Sequence, residues 1–151
     1  MDFARFVDEV KLEIGASVAG DMRICYLATP YSSSNYMERY ERFYAVTDAA
    51  GKLFQSGINV YSPITHSHPI NESQRSMSHL FEVWENYDLY VINKLCKGLI
   101  VLKIPGWKES IGVNSEINYA NLRKLPVFYL DSELVCSSDS LVRLNNLRLQ
   151  G

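Results

Sequence analysis

Gly98-Leu99-Ile100-Val101-Leu102-Lys103-Ile104, followed at once by Pro105-Gly106-Trp107-Lys108-Glu109-Ser110, decides the fold. The apolar run is short, rich in β-branched residues and stopped by a Pro-Gly breaker, so it reads as a strand covered on both faces. Ser110 to Lys124 then places Val113, Ile117 and Ala120 on a helical period, and Pro126 to Leu130 (PVFYL) returns as a strand. Upstream, a helix is expected from about Ser78 to Lys94, with Leu80, Val83, Trp84, Tyr87 and Val91 on one face. Before it come a strand at Ile58 to Tyr61, a helix from Met37 to Gln55 stopped by Gly57, and a strand at Arg23 to Ala28 (RICYLA). Phe3, Phe6, Val7, Val10 and Ile14 make the first segment an amphipathic helix. Alternating strands and helices indicate βαβ units. The expectation is a single α/β domain over residues 1–151, a Rossmann-like (flavodoxin-like) parallel sheet of four to five strands flanked by helices. Residues 1–22 form an N-terminal helix in this reading. Residues 131–151 form a C-terminal tail in which Leu141, Leu144 and Leu147 mark a short helix.

Composition sets the outer bounds. At 151 residues, 47% hydrophobic and 21% charged, the chain has the length of one domain and too much apolar content for disorder. A net charge of -2 and a pI near 5.9 lack the basic excess of a nucleic-acid polymer binder. Cys25, Cys96 and Cys136 are odd in number and widely spaced, which argues against a disulfide framework or a zinc knuckle. The early acids Asp2, Asp8, Glu9 and Glu13 do not suit a secretory signal, and no apolar run approaches the roughly 20 residues of a membrane span. A soluble, cytoplasmic protein with no membrane partner is expected. Ten tyrosines within 12% aromatic residues suit stacking on a flat ligand.

Open parallel sheets bind ligands beyond the carboxyl ends of their strands. The loops to inspect are Thr29 to Asn35, Ser62 to Ser76 and Pro105 to Ser110. Ser110 and Gly112 open a helix whose N–H groups and hydroxyl can face an anion, and Ser110 serves equally as an ordinary N-cap. Glu116 falls roughly 70° from the centre of its helix's buried face, given about 100° per residue, so its carboxylate borders the core. There it suits a nucleophile or acid/base group, or simply a partner for Arg123. Asp88 borders an apolar face beside Trp84, Tyr87 and Val91, and is either a solvent-facing acid or the second of the paired carboxylates that glycosyl chemistry needs. His66 and His68 alternate on what reads as extended loop backbone, projecting to one side. With no third ligand at suitable spacing they fit hydrogen bonding or phosphate contact better than a metal site. Arg39 and Arg42 are either solvated helix charges or bidentate phosphate donors. Cys25 and Cys96 read as small buried hydrophobes.

Four segments taken together resemble the DUF1937 family: Tyr26-Leu27-Ala28-Thr29-Pro30-Tyr31; Ser62-Pro63-Ile64-Thr65-His66-Ser67-His68-Pro69-Ile70; Trp84 with Asp88; and Pro105-Gly106-Trp107 with Ser110-x-Gly112-Val113-x-x-Glu116-Ile117. That family looks like a branch of the nucleoside 2-deoxyribosyltransferase and nucleotide N-glycosidase superfamily. The resemblance spans about Arg23 to Leu130 and implies catalysis without a cofactor or metal. It puts Glu116 at the position of the glutamate that attacks the anomeric carbon, and Asp88 at that of the aspartate assisting the base. Tyr26 matches the first-strand tyrosine near the sugar, and Ser110-Ile111-Gly112-Val113 the segment holding a 5′-phosphate. Thr29, Pro30, Tyr31, Arg39, Arg42, His66, His68, Trp84, Gly106 and Trp107 complete the implied substrate contacts. Thr29-Pro30-Tyr31-Ser32 departs from the glycosidases' glycine-rich first loop. The implied activity is hydrolysis or transfer at the N-glycosidic bond of a nucleotide or nucleoside, through a covalent glycosyl-glutamate, in a homodimer or higher homo-oligomer. The other expectations are a non-catalytic nucleotide or nucleotide-sugar binding module, and an interaction protein using the first helix and the Leu-rich tail.

Overall fold

The structure, a computed structural model, describes residues 2–74 and 81–150, with side chains for all of these except 81–83 and 148–150. Four strands, β1 (Ile24–Ala28), β2 (Asn59–Tyr61), β3 (Cys96–Lys103) and β4 (Val127–Asp131), form one sheet in the order β2-β1-β3-β4. Every pairing is parallel. The architecture is α/β and consistent with a Rossmann-like fold. The chain moves outward from β1 to β2 and then crosses to the other side of β1, so the switch point lies between β1 and β3.

The helices are α1 (Phe3–Ile14), α2 (Tyr36–Gln55), α3 (Pro63–Ser73), α4 (Phe81–Leu95), α5 (Ile111–Leu122) and α6 (Ser138–Gln150). Strand alternation divides the core in two. Cys25 and Leu27 of β1 and Ile100 and Leu102 of β3 pack with Phe6 and Val10 of α1, Ala45 and Leu53 of α2, and Leu144 of α6. Tyr26, Ala28, Leu99 and Val101 point the other way, onto Val91 and Ile92 of α4 and Val113 and Ala120 of α5. The sheet is therefore covered on both faces, as its nearly unbroken apolar strands require. A Cβ at Gly98 would lie 3.3 Å from each of Ile14, Cys25 and Phe128, so β3 carries glycine where α1 and β4 crowd it.

Two expectations change. The loop expected over Ser62 to Ser76 is helical over Pro63–Ser73, with Pro63 in the first turn, where its missing N–H costs nothing; residues 75 and 76 lie outside the described residues. Pro69 and a polar composition hide this helix in the sequence. What holds it is tertiary: Thr65 Oγ1 lies 2.7 Å from both Ser62 Oγ and Thr47 Oγ1, tying α3 to its own start and to α2. The tail is likewise a full helix of 13 residues, with Leu144 in the core and Arg143 3.2 Å from the buried carboxylate of Glu41. The expected start of α4 near Ser78, and Leu80, lie outside the described residues. No helix among them is long and apolar enough to cross a membrane.

Candidate functional site

Parallel pairing sets Tyr26 of β1 directly beside Tyr61 of β2. Their rings lie 5.9 Å apart, both on the α4/α5 side of the sheet. Tyr26 is fully buried, and its hydroxyl donates a short hydrogen bond to Glu116 Oε2. Glu116 is the sixth residue of α5, half-buried at the edge of the face carrying Val113 and Ala120, so the helical geometry read from the sequence holds. The alternative partner for that carboxylate is otherwise engaged: Arg123 lies over the Tyr119 ring at 5.5 Å.

Asp88 comes from α4 and supplies the second carboxyl. Its Oδ1 is buried and has no hydrogen-bond partner among the described residues. Burial pushes the Asp88 pKa up to about 7. Burial also pushes Glu116 up to about 8, with the Tyr26 hydrogen bond opposing and the charge of Asp88 adding to the rise. Tyr26 is held far above the usual phenol range by burial first, then by the charges of Glu116 and Asp88. The cluster thus holds two carboxyls raised toward neutrality, both chiefly by burial and Glu116 also by the charge of Asp88, which is where acid, base and nucleophile roles are most readily divided.

An aromatic wall continues from this cluster. Tyr61 lies 6.2 Å from His66, whose imidazole stacks on Tyr87 at 5.7 Å and meets Trp84 edge-on at 5.8 Å. Trp84 is fixed by donating from Nε1 to Asn71 at 2.9 Å. His68 is not on this wall. Because α3 is helical, residues two apart diverge by about 200°, which corrects the expectation that both imidazoles share a side. His68 is buried against Phe43 at 4.3 Å, with Nδ1 2.6 Å from the Tyr31 hydroxyl. Burial lowers its pKa, which favours the neutral imidazole, and its hydrogen bond to Tyr31 ties the loop after β1 to α3.

The arginines serve the same loop. Arg39 donates to the Ser33 carbonyl. Arg42 is buried, donates to the Ser32 carbonyl at 3.0 Å, and pairs with Glu38 at 2.9 Å. It also touches the loop after β3: a Cβ at Gly106 would stand 2.8 Å from its Nη2, and Gly106 has φ +97°. Gly106 is therefore required by backbone conformation and by close approach together. Thr29 and Pro30 are buried at the end of β1, and Thr29 Oγ1 has no partner among the described residues.

At the start of α5, Ser110 is the N-cap, accepting from the Val113 N–H at 3.2 Å. Asn114 donates to the carbonyls of Lys108 and Ser110, both at 2.9 Å, which closes the loop. Gly112 leaves open space beside the cap: a Cβ there would find only Ser110 Oγ, at 3.9 Å. Trp107 packs 5.7 Å from Tyr129 and lines a groove of about 390 Å³ with Lys103, Glu133 and Asn145. A second groove of about 560 Å³ runs along the outer side of α5. Neither groove includes Tyr26, Asp88 or Glu116.

The structure thus gathers Tyr26, Asp88, Glu116, Trp84 and His66 along one side of the sheet, and sends His68, Arg39 and Arg42 to the support of the first loop. Sequence reasoning missed Tyr61 and Tyr87. Tyr61 was findable as the residue at the end of the second strand, in the position that Tyr26 holds beside it. Tyr87 precedes Asp88 and lies one turn from Trp84.

A search of the curated proteins finds no match to this chain. Residues 23–132 match the family model described as Domain of unknown function (DUF1937), which covers all four strands and the whole Tyr26–Asp88–Glu116 cluster. On that match the chain belongs to the DUF1937 family.

Proposed function

We propose that this protein cleaves or exchanges the N-glycosidic bond of a nucleotide or nucleoside, with Glu116 as nucleophile and Asp88 as the acid/base or base-orienting group. The observation that carries the reading is the hydrogen bond from the buried Tyr26 hydroxyl to Glu116, with Asp88 beside it. Breaking the bond builds positive charge on the sugar ring. An ionised carboxylate against C1 is stabilised as that charge develops, and it can close on C1 to form a glycosyl ester. The Tyr26 O–H fixes the carboxylate and favours its ionised form. The departing base takes a proton, or a hydrogen bond, from Asp88, whose pKa near 7 suits donation at neutral pH. Water then resolves the ester in a hydrolase, or a second base in a transferase. The aromatic wall of His66, Tyr87 and Trp84 offers ring faces and edges to the base. The open start of α5 at Ser110 and Gly112 offers N–H groups to a phosphate.

Incubation with ribo- and deoxyribonucleosides and their 5′-monophosphates, followed by chromatography for free base, tests this reading. Base release that Glu116→Gln abolishes is the expected result. Binding of a nucleotide that stays intact would instead favour a binding module. Release from no substrate, with Glu116→Gln indistinguishable from the wild type, would overturn the proposal.

A further inference from the structure

Two polar atoms beside the Tyr26–Glu116 pair are buried without a hydrogen bond of ordinary geometry to any described residue: Tyr61 Oη and Asp88 Oδ1. Leaving such atoms unsatisfied is costly, and native interiors do so sparingly. The two belong to one small region. Tyr61 is the strand neighbour of Tyr26, the charge of Asp88 acts on both phenols, and Tyr87, the residue before Asp88, makes a loose contact with Tyr61. Tyr87 is 46% exposed, which makes it the side chain of this group best placed to yield to an incoming ligand.

The two orphans are complementary. Tyr61 can donate and the Asp88 carboxylate accepts, so a single ligand atom satisfies both only if it accepts and donates at once. A carbonyl oxygen or an unprotonated ring nitrogen does one of these; a hydroxyl does both. The neighbouring Glu116 is the group read above as facing C1, and the sugar hydroxyl nearest C1 is the one on C2.

We propose that Tyr61 and Asp88 Oδ1 bind the 2′-hydroxyl of the substrate, so that the site takes ribonucleosides or ribonucleotides in preference to their 2′-deoxy counterparts. This rests on the N-glycosidic reading of Glu116, which orients the sugar. Tyr61 is then a specificity-determining residue, and the phenol's O–H rather than its ring is what counts.

The test compares matched ribo- and 2′-deoxyribonucleoside 5′-monophosphates on the whole protein, by kcat/KM for base release and separately by ligand-induced rise in melting temperature. A hydrogen bond to a charged group sets the scale at about 10- to 100-fold in favour of the ribo form. Tyr61→Phe removes one of the two partners and should lower that ratio several-fold in both readouts. A deoxy substrate preferred by the wild type, or a ribo preference that Tyr61→Phe leaves intact, overturns the proposal, as does equal treatment of the two sugars, the mark of a site filled by water alone. Absence of base release with ribo-selective, Tyr61-dependent binding would sink the catalytic reading and keep the 2′-hydroxyl site. Absence of both release and binding overturns the two together. Should Tyr61→Phe fail to fold, Asp88→Ala, which removes the acceptor, answers the same question in the binding readout, with loss of ribo selectivity expected.

Discussion

Replacing Glu116 by Gln should make the protein more resistant to unfolding in alkaline solution, and the effect should grow with pH. The structure raises the Glu116 pKa from an ordinary 4.5 to about 8, chiefly by burial. A carboxyl with a raised folded-state pKa binds its proton more tightly when folded. The associated stability is complete below about pH 4.5 and is lost as pH rises through about 8. At 1.36 kcal/mol per pH unit the displacement corresponds to at most roughly 5 kcal/mol, and solvent around a half-buried side chain should reduce that to about 2 kcal/mol. Glutamine keeps the shape of the protonated acid and has no proton to lose. The assay is thermal unfolding of both proteins at pH 5, 7 and 9, subtracting one from the other so that titrating groups not coupled to Glu116 cancel. At about 2–4 °C per kcal/mol for a chain of this size, the variant should gain roughly 4–8 °C on the wild type between pH 5 and pH 9. A difference that does not change with pH would refute the argument that Glu116 is ionised against a desolvation cost.

Three further outcomes follow from the same geometry. Tyr26→Phe removes the donor that favours the charged form of Glu116, so the alkaline limb of any base-release profile should move to higher pH and the neutral-pH rate should fall by at least tenfold; a pH–rate series on both proteins checks this. Phe6→Ala should cost about 3–5 kcal/mol in denaturant unfolding, because Phe6 is 2% exposed within the core and lies edge-on to Phe128 at 6.4 Å. Gly106→Ala should cost about 1–3 kcal/mol, measured the same way, since the backbone there has φ +97° and its new methyl would meet Arg42.

Most of the fold was legible because it rests on patterns that tertiary structure reinforces. Leu99 to Leu102, short and stopped by Pro105-Gly106, reads as a covered strand, and Phe6, Val10 and Ile14 read as one face of a helix, as the structure has them. The candidate site was legible where a helix fixes direction: the position of Glu116 relative to Val113 and Ala120 set its carboxylate at the border of the core, and the structure adds its bond to Tyr26. It was not legible where a proline-bearing helix is held by side-chain contacts from elsewhere. The hydroxyls of Thr47, Ser62 and Thr65 hold α3, and misreading that segment as extended put His66 and His68 on one side. The arginines show the same limit. Nothing local to Arg42 shows that it meets Ser32 and closes on Gly106, some 64 residues later. Tyr61 can be found as the last residue of the second strand, but its place beside Tyr26 comes from the pairing of β1 with β2, which no single segment encodes.

The account's central claim is that Glu116 attacks the anomeric carbon, and the mass of the protein during turnover tests it most directly. A reaction mixture quenched in acid should contain protein heavier by one glycosyl group, mapped to the peptide containing Glu116, together with free base. The adduct should be missing from Glu116→Gln. An unchanged protein mass with no free base from any nucleoside or nucleotide, or an adduct that persists in Glu116→Gln, would contradict it.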